Sequence, residues 1–399
     1  MGPALEVFLV FLRLGCTSFG GPVAHLGYFR AELVTRRGWL SEANFADIVA
    51  LCQFMPGPAS SQTGMALGLL RAGPLGMFAA WLGFTLPSAL AMTLFAYGVG
   101  AVGDLSQAGW LHGLKLVAVA VVAQAVWGMA RSLAPDRARA SVAVAACLVC
   151  LAVPSSVGQI GAIVLGAVIG VTALRADAAG GEAPARLGVR VPRGVAVLLL
   201  AAFFALLLGL PAAADAAGGH LLRLVSAFYQ AGSLVFGGGH VVLPLLQATV
   251  VEPGWVSPDL FLAGYGATQA MPGPIFTFAA FLGAVEVPAP NGWVGAVVAT
   301  VSIFLSSFLL VGGLLPFWDS LRHRVGVRSA LRGVNAAVVG VLLAALFTPI
   351  WTGSVHTSAG FGLALVAFLL LTLWAVPPWL VVVLGAVAGA ALGVLGVAV

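Results

Sequence analysis

Long apolar stretches separated by short polar breaks recur along almost the whole chain. A bilayer core about 30 Å thick needs about 20 apolar residues per helix. We place thirteen membrane-spanning helices near residues 4 to 28, 44 to 70, 74 to 101, 110 to 133, 140 to 153, 156 to 174, 194 to 211, 220 to 250, 259 to 285, 291 to 317, 329 to 350, 358 to 376 and 379 to 398. The pattern therefore predicts an all-α polytopic membrane protein with about 13 transmembrane segments.

One segment interrupts this pattern. Residues 175–193 hold Asp177, Glu182 and several arginines among small residues, a composition typical of a solvated linker. We therefore divide the chain into four parts: a first transmembrane repeat at 1–174, a cytoplasmic linker at 175–193, a connecting transmembrane helix at 194–211 and a second transmembrane repeat at 212–399.

An internal repeat relates the two large parts. A first set of residues recurs 216 positions later: Trp39, Ser41, Phe45, Gln53, Met55, Pro56, Gly57 and Pro58 return as Trp255, Ser257, Phe261, Gln269, Met271, Pro272, Gly273 and Pro274. With one residue of slippage, a second set also recurs: Gly15, Phe19, Gly20 and Gly21 return as Gly232, Phe236, Gly237 and Gly238. The chain is therefore a duplication. Six spans in each half, joined by one connecting helix, predict two homologous inverted-topology repeats with broken helices.

The arginines predict the orientation of the chain. Most interhelical arginines fall on one face in this count, and that face should be cytoplasmic, with the C-terminus outside. Arg30, Arg36 and Arg37 contradict it, because they land on the outer face unless segment one or two is a re-entrant hairpin.

Composition narrows the class of function. The chain is 61% hydrophobic and 8% charged, with a mean hydropathy of +1.09, a composition typical of an integral membrane protein. Its net charge of +5 comes from loop arginines that report orientation, and we expect no nucleic acid partner. The four cysteines lack companion ligands, so we expect packed thiols, no metal and no cofactor. No phosphate-binding loop or nucleophile motif is present, which argues against an enzyme and against pumping by ATP.

Each half carries a glycine-rich break inside apolar sequence. The first contains Ser18, Gly20, Gly21 and Pro22, and the second contains Gly237 and Gly238. Unpaired backbone is tolerated within a membrane only where protein or a water-filled cavity covers it. The breaks therefore point to a cavity, and tight packing of glycine faces is the alternative.

Each half also carries a Pro-Gly-Pro turn. Gln53 precedes Pro56, Gly57 and Pro58, and Gln269 precedes Pro272, Gly273 and Pro274 in the same way. Two prolines do not fit inside one helix, but the second suits the first position of a new helix. The free N–H groups of such half-helices bind anions without a buried cation. Ser60, Ser61 and Thr277 could add hydroxyl donors, and a proline kink without a ligand is the alternative.

Few charged residues lie within the spans, and each is a functional candidate because burying a charge in a bilayer is costly. Arg13 precedes the first break by less than two helical turns and could attract an anion. His25 and His240 flank the two breaks and are candidates for carrying a proton. We expect Lys115 to extend to the interface, and Glu6 and Asp47 to be interfacial.

These residues resemble the chromate ion transporter family. The resemblance rests on residues 11 to 22, on His25, on Tyr28 to Arg30, on Gln53 to Gln62 and on the second copies of both motifs, and it covers essentially the whole chain. It implies the long, two-domain form of a bacterial inner-membrane protein that exports chromate and confers resistance, with sulfate as a similar competitor. The positions carried over are Arg13, Gly20, Gly21, Pro22, Pro56, Gly57, Pro58, Ser60, Ser61 and Gln62. The second half departs from the first at Gly239, which stands where the first half has Pro22.

Several alternatives remain open at this point. The same fold could carry out proton-coupled uptake of sulfate or a related oxyanion, or act as an anion channel. The duplication is also compatible with a homodimer of two such chains.

Overall fold

The computed structural model describes residues 2–102, 109–174, 191–236, 239–321 and 324–395. This part of the chain is built of helices and contains no strand. Five helices are long and apolar enough to cross a membrane: Ala59–Ala101, Gly109–Leu133, Arg193–Ala217, Gly292–Phe317 and Val325–Trp351.

The described residues of the first half form seven α-helices: α1 Pro3–Thr17, α2 Gly21–Phe29, α3 Glu42–Phe54, α4 Ala59–Val102, α5 Gly109–Leu133, α6 Arg137–Ala152 and α7 Ser156–Ala173. A π-helical segment, Arg30–Arg36, continues α2. The long helix α4 is kinked at Ala72 and Gly73, where the backbone leaves the helical region and Pro74 follows. Hydroxyl and carboxyl caps begin several of these helices, as where the Ser41 hydroxyl accepts a hydrogen bond from the Asn44 N–H.

Beyond residue 190, the part of the chain that the structure describes forms ten more α-helices: α8 Arg193–Ala217, α9 His220–Leu234, α10 Val242–Leu246, α11 Pro258–Thr268, α12 Phe278–Val285, α13 Gly292–Leu314, α14 Trp318–Leu321, α15 Val325–Ala345, α16 Ser358–Thr372 and α17 Pro378–Val394. Short 3₁₀ turns precede α10, α12 and α14, and π-helical segments extend α10 and α15.

The first two apolar segments fold back on themselves. Glu6, in the first turn of α1, lies 3.4 Å from Nη1 of Arg37 and 3.0 Å from Nη2 of Arg71. A helix of the length of α1 extends roughly 22 Å, so the chain must return to its starting level to make these contacts. Helices α1 and α2 form one hairpin. Helix α3 and the part of α4 before the kink form a second.

The second half repeats this arrangement. Nε2 of His220, the first residue of α9, lies 3.1 Å from Oε2 of Glu286, which follows α12. The His220 ring is also 4.5 Å from the ring of Trp255, and the Trp255 carbonyl accepts a hydrogen bond from the Val287 N–H. Helices α9 and α10 therefore form a third hairpin, and α11 and α12 form a fourth.

These four hairpins correct four of the thirteen predicted spans, those near 4 to 28, 44 to 70, 220 to 250 and 259 to 285. Hydropathy measures how long an apolar stretch is, but it does not show whether the chain reverses direction inside it. The glycine-rich breaks and Pro-Gly-Pro turns supply the reversals.

The two halves exchange packing partners beyond the hairpins. Helix α5 of the first half packs on α16 and α17, whereas α15 of the second half packs on α6 and α7. Glycines allow these helices to approach closely: Gly113 of α5 meets Gly385 of α17, and Gly333 of α15 meets Gly166 of α7. Small residues at such contacts are the usual means of packing helices in lipid. The halves are thus intertwined.

The glycine contacts predict a difference between two alanine substitutions in α15. A Cβ at Gly333 would overlap the Gly166 carbonyl oxygen, whereas a Cβ at Gly326 meets nothing within 4 Å. We expect Gly333→Ala to destabilise the protein by about 1–3 kcal/mol through overpacking. Gly326→Ala should be neutral or slightly stabilising, because alanine favours helix. Thermal unfolding of the detergent-purified variants measures both, and equal melting temperatures would contradict the close packing of α15 on α7.

Candidate functional site

The tips of the four hairpins meet and hydrogen-bond across the two halves. The N–H of Gly57, in the first Pro-Gly-Pro turn, donates to the Val235 carbonyl at 2.6 Å. The N–H of Gly273, in the second turn, donates to the Ser18 carbonyl at 2.9 Å. By the internal repeat, Ser18 and Val235 are equivalent positions, as are Gly57 and Gly273. Each turn therefore binds the end of the broken helix of the opposite half.

A pair of serines completes this reciprocal arrangement. The Ser307 hydroxyl of α13 stands beside Gly57, and the Ser88 hydroxyl of α4 stands beside Gly273. The two serines are 219 positions apart, as are other equivalent residues of these helices. Each turn is thus contacted by a backbone carbonyl and a hydroxyl of the other half.

Glycine is required at the centre of both turns. Gly57 and Gly273 have φ angles of 118° and 92°, which side-chain-bearing residues rarely adopt. At Gly57 the space of a Cβ is also filled by the amide of Gln62, which donates hydrogen bonds to the Pro56 carbonyl at 2.6 Å and to Ser307 at 3.3 Å. Gln62 therefore fixes the shape of the first turn.

Several buried polar atoms at or near the two hairpin tips of the first half have no hydrogen-bond partner among the described residues. They are the hydroxyls of Ser18 and Ser61, Nε2 of His25 and Oε1 of Gln62. Nδ1 of His25 lies 3.3 Å from the Ser60 hydroxyl, so the histidine ring is held at the start of α4. Buried polar groups in native proteins are nearly always paired, and unpaired ones call for an explanation such as a ligand or water.

The two half-helices begin differently. Helix α4 starts at Ala59, one residue after Pro58, which we predicted as its first position, and this leaves the first N–H groups of the helix near Ser60 and Ser61. After Pro274 the chain first makes a 3₁₀ turn, Ile275–Thr277, before α12 begins. The Thr277 hydroxyl donates to the Pro274 carbonyl at 2.8 Å, so it is occupied within its own turn. Unpaired hydroxyls therefore lie on the first-half side of the tips.

The three predicted polar residues that precede the tips lie outside this buried cluster. Arg13 is exposed on α1, on the side opposite the buried Phe11 and Leu14, and it makes no ion pair with a described residue. Gln53 is also exposed, and Gln269 is half-buried with its amide 3.5 Å from the Tyr265 carbonyl of its own helix.

The two histidines occupy different environments. Nδ1 of His240 lies 2.6 Å from the Tyr265 hydroxyl, away from the Ser18 and Ser61 hydroxyls of the first half. The equivalent breaks still approach each other, because a Cβ at Gly239 would stand 3.7 Å from Cγ of Pro22 in the first turn of α2. Pro272 is half-buried in the second turn. Gly237 and Gly238, which we predicted for the site, lie outside the described residues.

Two charged residues make contacts between the halves that the sequence did not predict. Asp47 is buried and accepts a hydrogen bond at 3.0 Å from the indole N–H of Trp318, so it joins α3 to the second half instead of lying free at an interface. Lys115 is largely buried, with its ammonium 2.9 Å from Asp259, and it joins the two halves at α5 and α11. Both are explained by the intertwining of the halves, which a reading along one sequence does not reveal.

Sequence reasoning missed Ser88 and Ser307, and it missed that the turns bind backbone carbonyls. The repeat continues beyond the Pro-Gly-Pro turn with an offset of 219 into the next helix, and this signal identifies both serines. Among the described residues, no group of three or more histidine, cysteine or acidic side chains could hold a metal ion.

The chain is similar to known transporters over most of its length. A family model described as chromate transporter matches residues 5–171 and 222–390. The chromate transport protein of Pseudomonas aeruginosa is 30% identical over 84% of this chain and 79% of its own length. The probable chromate transport protein of Synechococcus elongatus is 28% identical over 95% of this chain and 93% of its own. The chromate transport protein of Cupriavidus metallidurans is 26% identical over 86% of this chain and 81% of its own.

No solved structure matches the chain. The family match covers both copies of the break and turn motifs, and the apolar helices agree with a multi-pass membrane protein. The chain belongs to the chromate transporter family.

Proposed function

We propose that this protein is a secondary carrier that exports chromate, and tetrahedral dianions of similar shape such as sulfate, across the inner membrane of a bacterium. The observation that supports it best is the meeting of the hairpin tips, where the Ser18 and Ser61 hydroxyls and Nε2 of His25 are buried without a hydrogen-bond partner among the described residues. Export of chromate by such a carrier would confer resistance to it.

The charges of this region favour an anion. The stretches 11–25, 53–63, 232–240 and 269–277 contain no aspartate or glutamate. The start of α4 adds the partial positive charge of a helix N-terminus. Ser18 and Ser61 are the hydroxyl donors to the oxyanion in this proposal, and Gly20, Gly21, Pro22, Pro56, Gly57, Pro58 and Gln62 shape the backbone around it.

Exposed polar residues near the tips support an aqueous path to the site. Arg13, Thr17 and Gln53 are exposed although each lies within two helical turns of a hairpin tip. Polar and charged groups at this depth normally face water or protein, because contact with lipid is costly. We therefore assign Arg13 and Gln53 to the wall of a vestibule through which the anion approaches.

We propose that nine helices cross the membrane and that the two repeats are inverted. Four hairpins leave α4 after its kink, α5, α6, α7, α8, α13, α15, α16 and α17 as crossings. An odd number of crossings, five of them before the second pair of hairpins, makes those hairpins enter from the face opposite the first pair. In this proposal the two repeats comprise residues 1–174 and 212–399, joined by the linker at 175–193 and the connecting helix at 194–211. The connecting helix lies within α8.

The arginines support this topology. Nearly all described arginines then lie on one face: Arg30, Arg36, Arg37, Arg71, Arg131, Arg137, Arg139, Arg193, Arg324, Arg328 and Arg332. Positively charged loops mark the cytoplasmic face. The conflict at Arg30, Arg36 and Arg37, which arose from counting the first segments as spans, is removed.

The membrane potential favours export. Moving one charge across 100 mV is worth about 2.3 kcal/mol, so a dianion that leaves a negative-inside cell gains about 4.6 kcal/mol. Uptake of the same ion would have to overcome this amount by coupling to another ion.

Labelling of introduced cysteines tests the topology. With the exposed native Cys16 replaced by alanine, we expect Thr35→Cys to react with a membrane-impermeant maleimide in everted vesicles and not in intact cells. Thirteen straight spans predict the opposite. Ser132→Cys and Val287→Cys are matched controls, because both topologies place the first inside and the second outside.

Chromate transport tests the site. We expect Ser61→Ala to weaken the apparent affinity for chromate roughly 10- to 100-fold, since a hydrogen bond to a charged group is worth about 1.5–3 kcal/mol. Uptake of radiolabelled chromate into everted vesicles with an inside-positive potential measures it. Thr93→Val is the control, because the Thr93 hydroxyl lies on the same helix but donates to the Ala89 carbonyl.

Two results would contradict the proposal. No accumulation above vesicles lacking the protein would remove chromate export, and accumulation unaffected by Ser61→Ala would remove the site. Competition by excess sulfate, measured in the same vesicles, defines how far the carrier distinguishes the two dianions.

A further inference from the structure

In each half, a polar cluster lies at the open end of the hairpins, away from their tips. The two clusters occupy equivalent positions but differ in which positions are acidic and which are basic. In the first half, Glu6 is held by Arg37 and Arg71, and the Arg71 guanidinium lies 5.2 Å from the centre of the Trp39 ring. In the second half, Glu286 is held by His220, whose ring packs on Trp255. Trp39 and Trp255 are equivalent by the repeat.

The acidic and basic positions are interchanged between these clusters. Counted from the close glycine pairs Gly68–Gly76 and Gly283–Gly295, Glu286 occupies the place of Arg71. Counted from Gly15 and Gly232, Arg223 occupies the place of Glu6. An arginine stays charged at any physiological pH. The second cluster pairs a carboxyl with an imidazole, and both can gain or lose a proton.

The environment of Glu286 favours proton binding. Its side chain is 1% exposed, Oε2 is 3.1 Å from Nε2 of His220, and Oε1 is buried without a partner among the described residues. The positive charge of Arg223 on α9 repels a proton on His220, and Trp255 packs against the His220 ring. The Asn291 amide donates a hydrogen bond to the Glu286 backbone carbonyl. Burial raises the pKa of the Glu286 carboxyl to about 8, above its ordinary value of 4.5.

We propose that Glu286 and His220 form a proton-binding site that the carrier loads and releases on one face of the membrane during transport. The inference rests on the proposed function and names its coupling ion. Both residues lie where the start of α9 meets the end of α12. Helix α9 leads to the second glycine-rich break, and α12 follows the second Pro-Gly-Pro turn. Loss of the proton leaves a buried carboxylate at this junction. Because a buried unpaired charge is costly, deprotonation favours a state in which water or a protonated His220 stabilises the carboxylate.

Infrared spectroscopy of the reconstituted protein tests the site without relying on transport. A protonated carboxyl gives a C=O band that disappears on deprotonation, and we expect one such band to titrate with a midpoint at about 8. It should be absent in Glu286→Gln and retained in Glu6→Gln, which changes the equivalent cluster of the first half. A band that survives in Glu286→Gln, or no band titrating in this range, overturns the inference.

Proton movement tests the coupling. In proteoliposomes, wild-type chromate flux should move protons, and its rate should change about tenfold between one unit below and one unit above the midpoint. Glu286→Gln should keep chromate counterflow while losing proton movement, with a rate change below about twofold across the same interval. Coupling that persists in this variant overturns the inference. A wild-type protein that exchanges no oxyanion at all would instead remove the proposed function.

A third variant keeps the test decisive if Glu286→Gln does not fold. His220→Gln retains the carboxyl but removes its partner, so the band should persist with its midpoint shifted by more than about half a unit. An unchanged midpoint would separate Glu286 from His220 and overturn the paired site.

The raised pKa also sets the sign of the pH dependence of stability. The folded protein holds a proton at Glu286 that the unfolded chain releases at lower pH, so this contribution is present below pH 4.5 and is lost as the pH rises through about 8. We expect the melting temperature of the wild-type protein to fall as the pH rises from 4.5 to about 8, and that of Glu286→Gln to change less over the same interval. The reverse order would contradict the assignment.

Discussion

The structure depends on satisfying backbone groups at the hairpin tips. Where the chain reverses direction away from water, its N–H and C=O groups lose their helical partners, and each unpaired group costs free energy. Gly57 and Gly273 resolve this by donating to the carbonyls of Val235 and Ser18 in the opposite half. Each half therefore completes the tips of the other, and the exchange of packing partners by α5 and α15 joins the two halves further.

A nearly symmetric backbone carries asymmetric chemistry. The reciprocal bonds, the two serines and the close glycine pairs occur in both halves. The unpaired hydroxyls do not, because Ser61 is free whereas Thr277 is bonded within its own turn. His25 has Val242 at its equivalent position, and Arg71 has Glu286. The two halves could therefore acquire different polar side chains after the duplication without changing the shared backbone arrangement.

The sequence predicted the elements of the site better than their arrangement. The duplication, the breaks and the start of a half-helix after Pro58 follow from glycine and proline chemistry, which acts locally. The hairpins were missed because apolar length is the same for a span and for a chain that turns back. One signal was present in the sequence. Arg30, Arg36 and Arg37 disagreed with the thirteen-span topology, and a re-entrant hairpin in segment one or two would resolve the disagreement. The contacts of Asp47 and Lys115 with the opposite half depend on intertwining, which no pattern along one chain encodes.

The absence of charged side chains at the tips has a physical reason in a carrier. A buried guanidinium would cost several kcal/mol to desolvate and would then hold a dianion strongly. A carrier must also release its ion, so its site has to bind well enough for entry and weakly enough for exit. Helix N–H groups and hydroxyls provide partial charges that meet both conditions. In the proposed site, Arg13 on the exposed side of α1 would attract the anion with a full positive charge, while the ion itself would bind to helix N–H groups and hydroxyls that can release it.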